Sequence, residues 1–352
     1  MKIDANIGGS IDGTAGADLG TLADQVCSAE DLGFDGVWST EVSRDPFLPL
    51  LLAADKSATL QIGTAVAVAF ARSPMTMATV ANDLNAYSRG RFVLGLGSQI
   101  QAHIERRFSM PWSAPARRMH EYIDALHAIW RCWETGEKLD FHGEHYRHTL
   151  MTPMFRPDPH PFGPPRVMLA AVGPQMTAVA AELADGLLAH GFTSRRYLQE
   201  VTVPAIEATL SAHGRSRTDF TIVYPGLVVT ASTPQERAIA AQQVRRQIAF
   251  YGATPAYRDV LDLHGWGDLH SELHRLSKAG DWAAMTELID DEILETFAVV
   301  GEPDVVGREI VARFAGLVDR FTLYTPYPLD ATARAGVVEG VRTKNRQAVA
   351  GA

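Results

Sequence analysis

Short apolar runs alternate with longer stretches in which apolar residues recur at three- and four-residue steps, and the alternation repeats eight times along the chain. The runs at 2–8, 34–39, 60–70, 91–98, 167–173, 186–192, 221–232 and 320–324 have the near-continuous apolar character of strands buried on both faces. Leu19, Leu22, Ala23, Val26 and Leu32 predict a first helix, stopped by Gly33. Pro46 opens a second helical stretch where proline is tolerated. Met77, Val80, Ala81 and Leu84 share one face of a third, which starts at Pro74 and ends at Gly90. Met119, Tyr122, Ile123, Leu126, Ile129, Trp130 and Trp133 form a wide apolar stripe on a fourth, read as core packing. Strands joined by helical crossovers run parallel, and closing eight of them removes the two unpaired edges that an open doubly wound sheet would keep. The expected fold is α/β, a (β/α)8 TIM barrel.

Two segments interrupt the rhythm. Residues 139–151 read as a hairpin around Gly143 and Glu144, and a proline-dense stretch extends this insertion to 165. Residues 256–297 hold several amphipathic helical stretches, and either insertion could build loops at the working face. No short repeat or linker separates two cores, so 1–352 is read as one domain.

Composition narrows the functions. With 352 residues, 46% of them hydrophobic, the chain can bury a large core. A formal net charge of -9 opposes attraction to nucleic-acid backbones and anionic lipid. Cys27 and Cys132 are the only cysteines, which excludes a disulfide framework and a four-thiolate zinc site and fits a reducing, cytoplasmic setting. Neither a signal peptide nor a run long enough to span a membrane is expected. HExxH, a Walker-type loop and a GxSxG elbow are absent, which leaves barrel chemistries.

Several residues at expected strand ends could carry that chemistry. The 171–174 loop, Ala-Val-Gly-Pro, joins a strand to a helix whose free N–H groups could cradle an anion, or is an ordinary turn. In the run 95–99, Gly-Leu-Gly-Ser-Gln, missing side chains would let a flat ring approach while Ser98 or Gln99 hydrogen-bonds to it; close barrel packing is the alternative. Glu41 directly follows the second strand, where barrels place catalytic groups, and could bind substrate, exchange a proton or hold a loop amide. Arg72, Arg106 and Arg107 could pair with an oxyanion or form surface ion pairs. His142, Glu144, His145 and His148 cluster near one turn but lack supporting ligands, so no metal is expected.

The segment NDLNAYSRGRFVLGLGSQ, 82–99, resembles the luciferase-like monooxygenase superfamily, as do IGTAVAVAFARSP at 62–74 and PRVMLAAVGPQMTAVAAELADG at 165–186. FDGVWSTE and FAVVGEPDVV extend the resemblance over nearly the whole chain. The segments TEVSRDPF, RSPM and IAFYGATPAYR are most similar to an actinobacterial group of coenzyme F420-dependent oxidoreductases. The resemblance implies hydride transfer between the deazaflavin F420 and a small organic substrate, in a homo-oligomer. FMN with a monooxygenase activity is the alternative, and a non-catalytic binding or structural subunit is a third reading. It sets the third strand's end, 65–69, against the cofactor's central ring, with Ala67, Val68 and Ala69 as candidate contacts, and relatives often hold a bulge or non-prolyl cis peptide there. Gly97, Ser98, Gln99 and His103 would form a second wall, and Val172, Gly173, Pro174 and Gln175 a third. Glu41 and His103 are the implied catalytic candidates, although Val42 stands where many relatives have a histidine. Apolar residues near Trp112, Phe155, Trp266 and Trp282 permit an aromatic or aliphatic substrate.

Overall fold

The computed structural model describes residues 1–7 and 19–350. Its eight barrel strands are β1 (Lys2–Ile7), β2 (Gly36–Ser39), β3 (Gln61–Thr64), β4 (Phe92–Gly97), β5 (Arg166–Ala170), β6 (Gly186–Leu188), β7 (Thr221–Val229) and β8 (Arg320–Tyr324). Each pairs in parallel with the next, and Lys2 opposite Arg320 joins β8 to β1, closing the (β/α)8 barrel that the alternation predicts. All eight expected runs contain a strand; Gly8, at the end of the first, lies outside the described residues.

Side-chain alternation sorts each strand between two cores. On β1, Ile3, Ala5 and Ile7 join the apolar layer beneath the helices, while Asp4 and Asn6 turn inward. The barrel interior is filled by Trp38, Val93, Met168, Leu188 and Val223. Below them, the guanidinium of Arg320, at the start of β8, donates to both oxygens of Asp4 at 2.7 and 2.5 Å, and Trp38 Nε1 donates to the same carboxylate at 2.9 Å. All three are nearly sealed from water, so the lower end of the barrel is closed by a polar plug.

The non-prolyl cis peptide anticipated within 65–69 is present, and the run 60–70 is not one continuous strand. It is strand only at Gln61–Thr64 and Ala67–Val68; a cis peptide joins Ala65 to Val66, and Ala69–Ala71 form a 3-10 turn. The short second piece still pairs with β4, Ala67 opposite Leu96. An apolar run reports burial, and burial is complete from Ala67 to Phe70 whether the backbone is extended or turned.

Both insertions form the expected elements. Phe141–His142 pairs antiparallel with Arg147–His148, and the Glu121 carboxylate pins the turn by accepting from the N–H groups of Glu144, His145 and Tyr146. The second insertion folds into helices Arg258–Leu263, Gly267–Ala279, Trp282–Glu287 and Asp291–Phe297. These share a core with Phe192, Leu227, Val229 and Tyr324, which places them over the carboxyl ends of β6, β7 and β8. Among the described residues, no helix is long and apolar enough to cross a membrane.

Candidate functional site at the carboxyl ends of the strands

At the strand ends, Ala65, Val66 and Ala170 pack on the interior core, and they, Asn6, Thr40 and His190 are all half-buried. Adjacent strands β3, β4 and β5 make one side of this mouth, since β4 pairs with both neighbours. Ala67, Val68 and Ala69, the residues expected to touch a cofactor, are fully buried, and the accessible apolar surface is Ala65 and Val66. Within the 65–69 span that the resemblance sets against a cofactor, the side chains left open to the mouth are thus Ala65 and Val66, because the chain bends there and turns its next residues into the helix layer.

Glycine positions on β4 answer to packing. A Cβ on Gly95 would lie 1.8 Å from the Thr64 carbonyl oxygen, and one on Gly97 would lie 2.7 Å from Val66 Cγ2. Gly97 thus lets the Val66 side chain lie across the fourth strand. Beyond it, Ser98 and Gln99 are half-buried; Gln99 adopts φ 61° and its Oε1 accepts from Ile100 N at 3.1 Å. Ser98 Oγ donates to Gln99 O at 3.1 Å. His103 is exposed on the short helix Gln101–Arg106.

Glu41 is buried and committed. Its Oε2 accepts from Val68 N at 2.8 Å and from Arg72 Nη1 at 2.7 Å, while Arg72 Nη2 donates to Asp45 at 2.9 Å. Burial works against the Arg72 charge, but the two carboxylates outweigh it and its pKa lies above the ordinary value. This carboxylate clamps the bend after β3 to the end of β2. Glu41→Ala leaves the buried Val68 N–H unpaired and is expected to cost about 2–3 kcal/mol. Chemical denaturation should read that loss, whereas His103→Ala, at an exposed position, should stay within about 0.5 kcal/mol of the parent.

The loop after β5 is open. Val172, Gly173, Pro174 and Gln175 are all exposed, and a Cβ on Gly173 would meet nothing within 4 Å. Pro174 starts the helix Pro174–Leu183, whose amino end has no side-chain cap, so the N–H groups of Gln175 and Met176 face outward.

The remaining candidates disperse. Arg107 donates to Val42 O at 2.6 Å, and Arg106 is exposed. His142 pairs with Asp140 at 3.0 Å, Glu144 with Arg117, and His145 packs beside Tyr146. Among the described residues, no group of three His, Cys, Asp or Glu is placed to hold a metal ion. Trp112 packs on Phe70, Trp266 on His264 and Trp282 on Phe250, while Phe155 is 75% exposed, so these aromatics do not gather at one pocket.

The mouth also contains residues that strand-end reasoning missed. His190, two residues past β6, stacks on Tyr257 at 4.2 Å between ring centroids and meets Tyr251 edge-on at 4.8 Å. Its Nδ1 accepts from Phe192 N at 3.0 Å, and burial drops its pKa from the usual 6.5 to about 4. Both tyrosines belong to the segment IAFYGATPAYR, which was legible as a resemblance but not as a wall of the site.

Similarity to known proteins follows this architecture. The chain is 54% identical over 310 residues to an uncharacterized protein of Mycobacterium tuberculosis, covering 88% of this chain and 91% of that one. It is 29% identical over 292 residues to the 5,10-methylenetetrahydromethanopterin reductase of Archaeoglobus fulgidus, covering 80% and 82%. Among solved structures, the coenzyme F420 dependent tetrahydromethanopterin reductase of Methanopyrus kandleri superposes with TM-score 0.77 at 19% identity, covering 96% of each chain. An F420-dependent secondary alcohol dehydrogenase in complex with an F420-acetone adduct gives 0.73 at 16%, covering 98% and 99%. The FMN-bound oxygenating constituent of the Pseudomonas putida 3,6-diketocamphane monooxygenase gives 0.69 at 16%, covering 98% of each. At these identities the structures speak for the fold alone, but the sequence profile of one family, luciferase-like monooxygenase, runs from residue 4 in β1 to residue 320 at the start of β8. The chain accordingly belongs to the luciferase-like monooxygenase family.

Proposed function

We propose that the protein is an F420-dependent oxidoreductase that transfers hydride between the deazaflavin and a small organic substrate. The observation that carries this reading is the pairing of an apolar wall, Ala65 and Val66, with the open, uncapped helix end at Gly173 on the neighbouring side of the mouth. A flat ring and a phosphate need those two surfaces. A putative coenzyme F420-dependent oxidoreductase of Mycobacterium tuberculosis, 29% identical over 305 residues, supports the choice of deazaflavin. Bound there, F420 would supply the carbon that carries hydride. The chain's own part is to hold the ring against Ala65, Val66 and Gly97, present N–H groups to the phosphate, and cover part of the mouth with the 256–297 insertion. Glu41 acts in this reading as a clamp on the wall.

Fluorescence titration with oxidised F420 and, separately, FMN tests the proposal: saturable F420 binding is expected, and FMN binding without F420 binding would favour the monooxygenase reading. Binding of neither would favour a non-catalytic subunit. Gly173→Asp sharpens the test. Aspartate is a good N-cap, so stability should hold or rise by about 0.3 kcal/mol, while its carboxylate competes with phosphate for the same N–H groups. F420 affinity should fall about tenfold or more, a change of about 1.4 kcal/mol; unchanged affinity would remove the phosphate from this loop.

A cytoplasmic homo-oligomer belongs to the same proposal. The free thiols of Cys27 and Cys132 support the compartment, and the exposed Leu48, Leu51, Tyr87, Met154 and Phe155 offer apolar surface to a second copy. Light scattering would distinguish that assembly from a monomer.

A further inference from the structure

Most polar groups at the mouth are already engaged. Asn6 Nδ2 donates to Leu323 O at 3.3 Å, Thr40 Oγ1 donates to Ala65 O at 3.0 Å, and the hydroxyls of Tyr251 and Tyr324 lie 2.8 Å apart in a mutual hydrogen bond. His190 differs. A backbone N–H donor occupies its Nδ1, so Nδ1 carries the lone pair and the ring's proton sits on Nε2, on the opposite side of the imidazole. Tyr257 stacked on one face and Tyr251 against the ring fix its orientation. Two residues past Leu188, which lies in the barrel interior, the half-buried His190 ring sits between that interior and the tyrosines of the covering layer.

We propose that His190 Nε2–H is the hydrogen-bond donor for the substrate's oxygen, and that the substrate therefore carries a carbonyl at the carbon that accepts hydride. This rests on the oxidoreductase reading above. The carbonyl carbon gains the hydride of the reduced deazaflavin, a C–H bond forms, the C=O π pair moves to oxygen, and the deazaflavin is oxidised. The alkoxide takes its proton from water. A neutral imidazole polarises a carbonyl without giving up its proton, as in triosephosphate isomerase. The titratable groups facing the ring are the phenols of Tyr251 and Tyr257, both raised by burial, Tyr257 to about 12, so neither supplies a charge near neutral pH. The same aromatic walls favour a planar or apolar body behind the carbonyl.

Long-range proton–nitrogen spectra of histidine-labelled protein, with His190→Phe identifying the signal, test the tautomer without any cofactor. The expected pattern is neutral Nε2–H from about pH 8 down to about pH 5; a signal that titrates near the ordinary 6.5, or an Nδ1–H pattern, overturns the proposal. Isobutyramide, an inert amide whose carbonyl accepts a hydrogen bond, then probes the F420-loaded protein. It should move the Nε2–H proton downfield, and His190→Phe should weaken its binding at least about tenfold with F420 affinity within about twofold. His190→Gln, which keeps a donor, should retain binding within about tenfold of the parent. No isobutyramide binding by the parent, or equal binding by the Phe variant, overturns the role. Failure of F420 to bind would instead sink the cofactor reading, and the spectra would still decide the state of His190.

Discussion

Arg320→Met is expected to lower the free energy of unfolding by about 3–5 kcal/mol. Arg320 and Asp4 face each other inside the barrel with 3% and 0% of their side chains exposed. Removing the guanidinium leaves a carboxylate that has lost two charge-assisted hydrogen bonds and has no water to replace them; the single Trp38 N–H cannot compensate. Charge removal from both sides has a different sign. Asp4→Leu combined with Arg320→Met should recover most of the loss, because well-packed apolar groups in such a site are often neutral or better. Denaturant midpoints of the two single variants and the double variant form a cycle. Trp38 emission reports the plug directly, since its indole N–H is bound to Asp4. Equal destabilisation by single and double variants would contradict this account.

Gly95→Ala should be the most damaging of the glycine substitutions at the mouth, at about 3 kcal/mol, the upper end for overpacking. The added Cβ would sit 1.8 Å from Thr64 O and 2.6 Å from Leu188 Cδ1. The first neighbour is backbone and cannot rotate aside. Thr64 also ties the two strands together, with Oγ1 donating to Gly95 O at 2.7 Å and accepting from Gly95 N at 2.8 Å. Separating β3 from β4 breaks those bonds and displaces Ala65 and Val66, so F420 affinity should fall with stability. Gly173→Ala, where a Cβ meets nothing, should cost only about 0.5–1 kcal/mol of stability, the loss of a better N-cap, and leave F420 affinity within about twofold. Thermal unfolding and F420 titration of the two variants, side by side, separate a packing glycine from an open one.

Much of the family signal turns out to hold the scaffold rather than the site. In the segment 82–99, Asn82 Oδ1 pairs with His160 at 3.1 Å, and Asn85 donates to Gly163 O at 2.9 Å. Arg91 donates to Leu60 O at 2.8 Å and to Ala54 O at 3.1 Å, tying the start of β4 to the foot of β3 and to the second helix. These bonds lie below the mouth. Only the last residues of that segment reach it, so a strong resemblance identified the architecture better than it located the chemistry.

By itself, the sequence determined the strand and helix alternation, closure into eight units, the hairpin at 139–151 and the helical insertion at 256–297. Those follow from local periodicity, which reports which face of each element is buried. It also determined the family, through residues that the barrel needs for close packing. Tertiary structure alone decided which residues face the mouth. A two-residue step after β3 hides Ala67, Val68 and Ala69 and leaves Ala65 and Val66 half-buried at the mouth; apolar periodicity does not mark that bend, which the resemblance alone anticipated within 65–69. It decided that Glu41 is spent on Val68 and Arg72. It also brought His190 against Tyr251 and Tyr257, more than sixty positions away, because a closed barrel gathers strand ends that are distant in the chain.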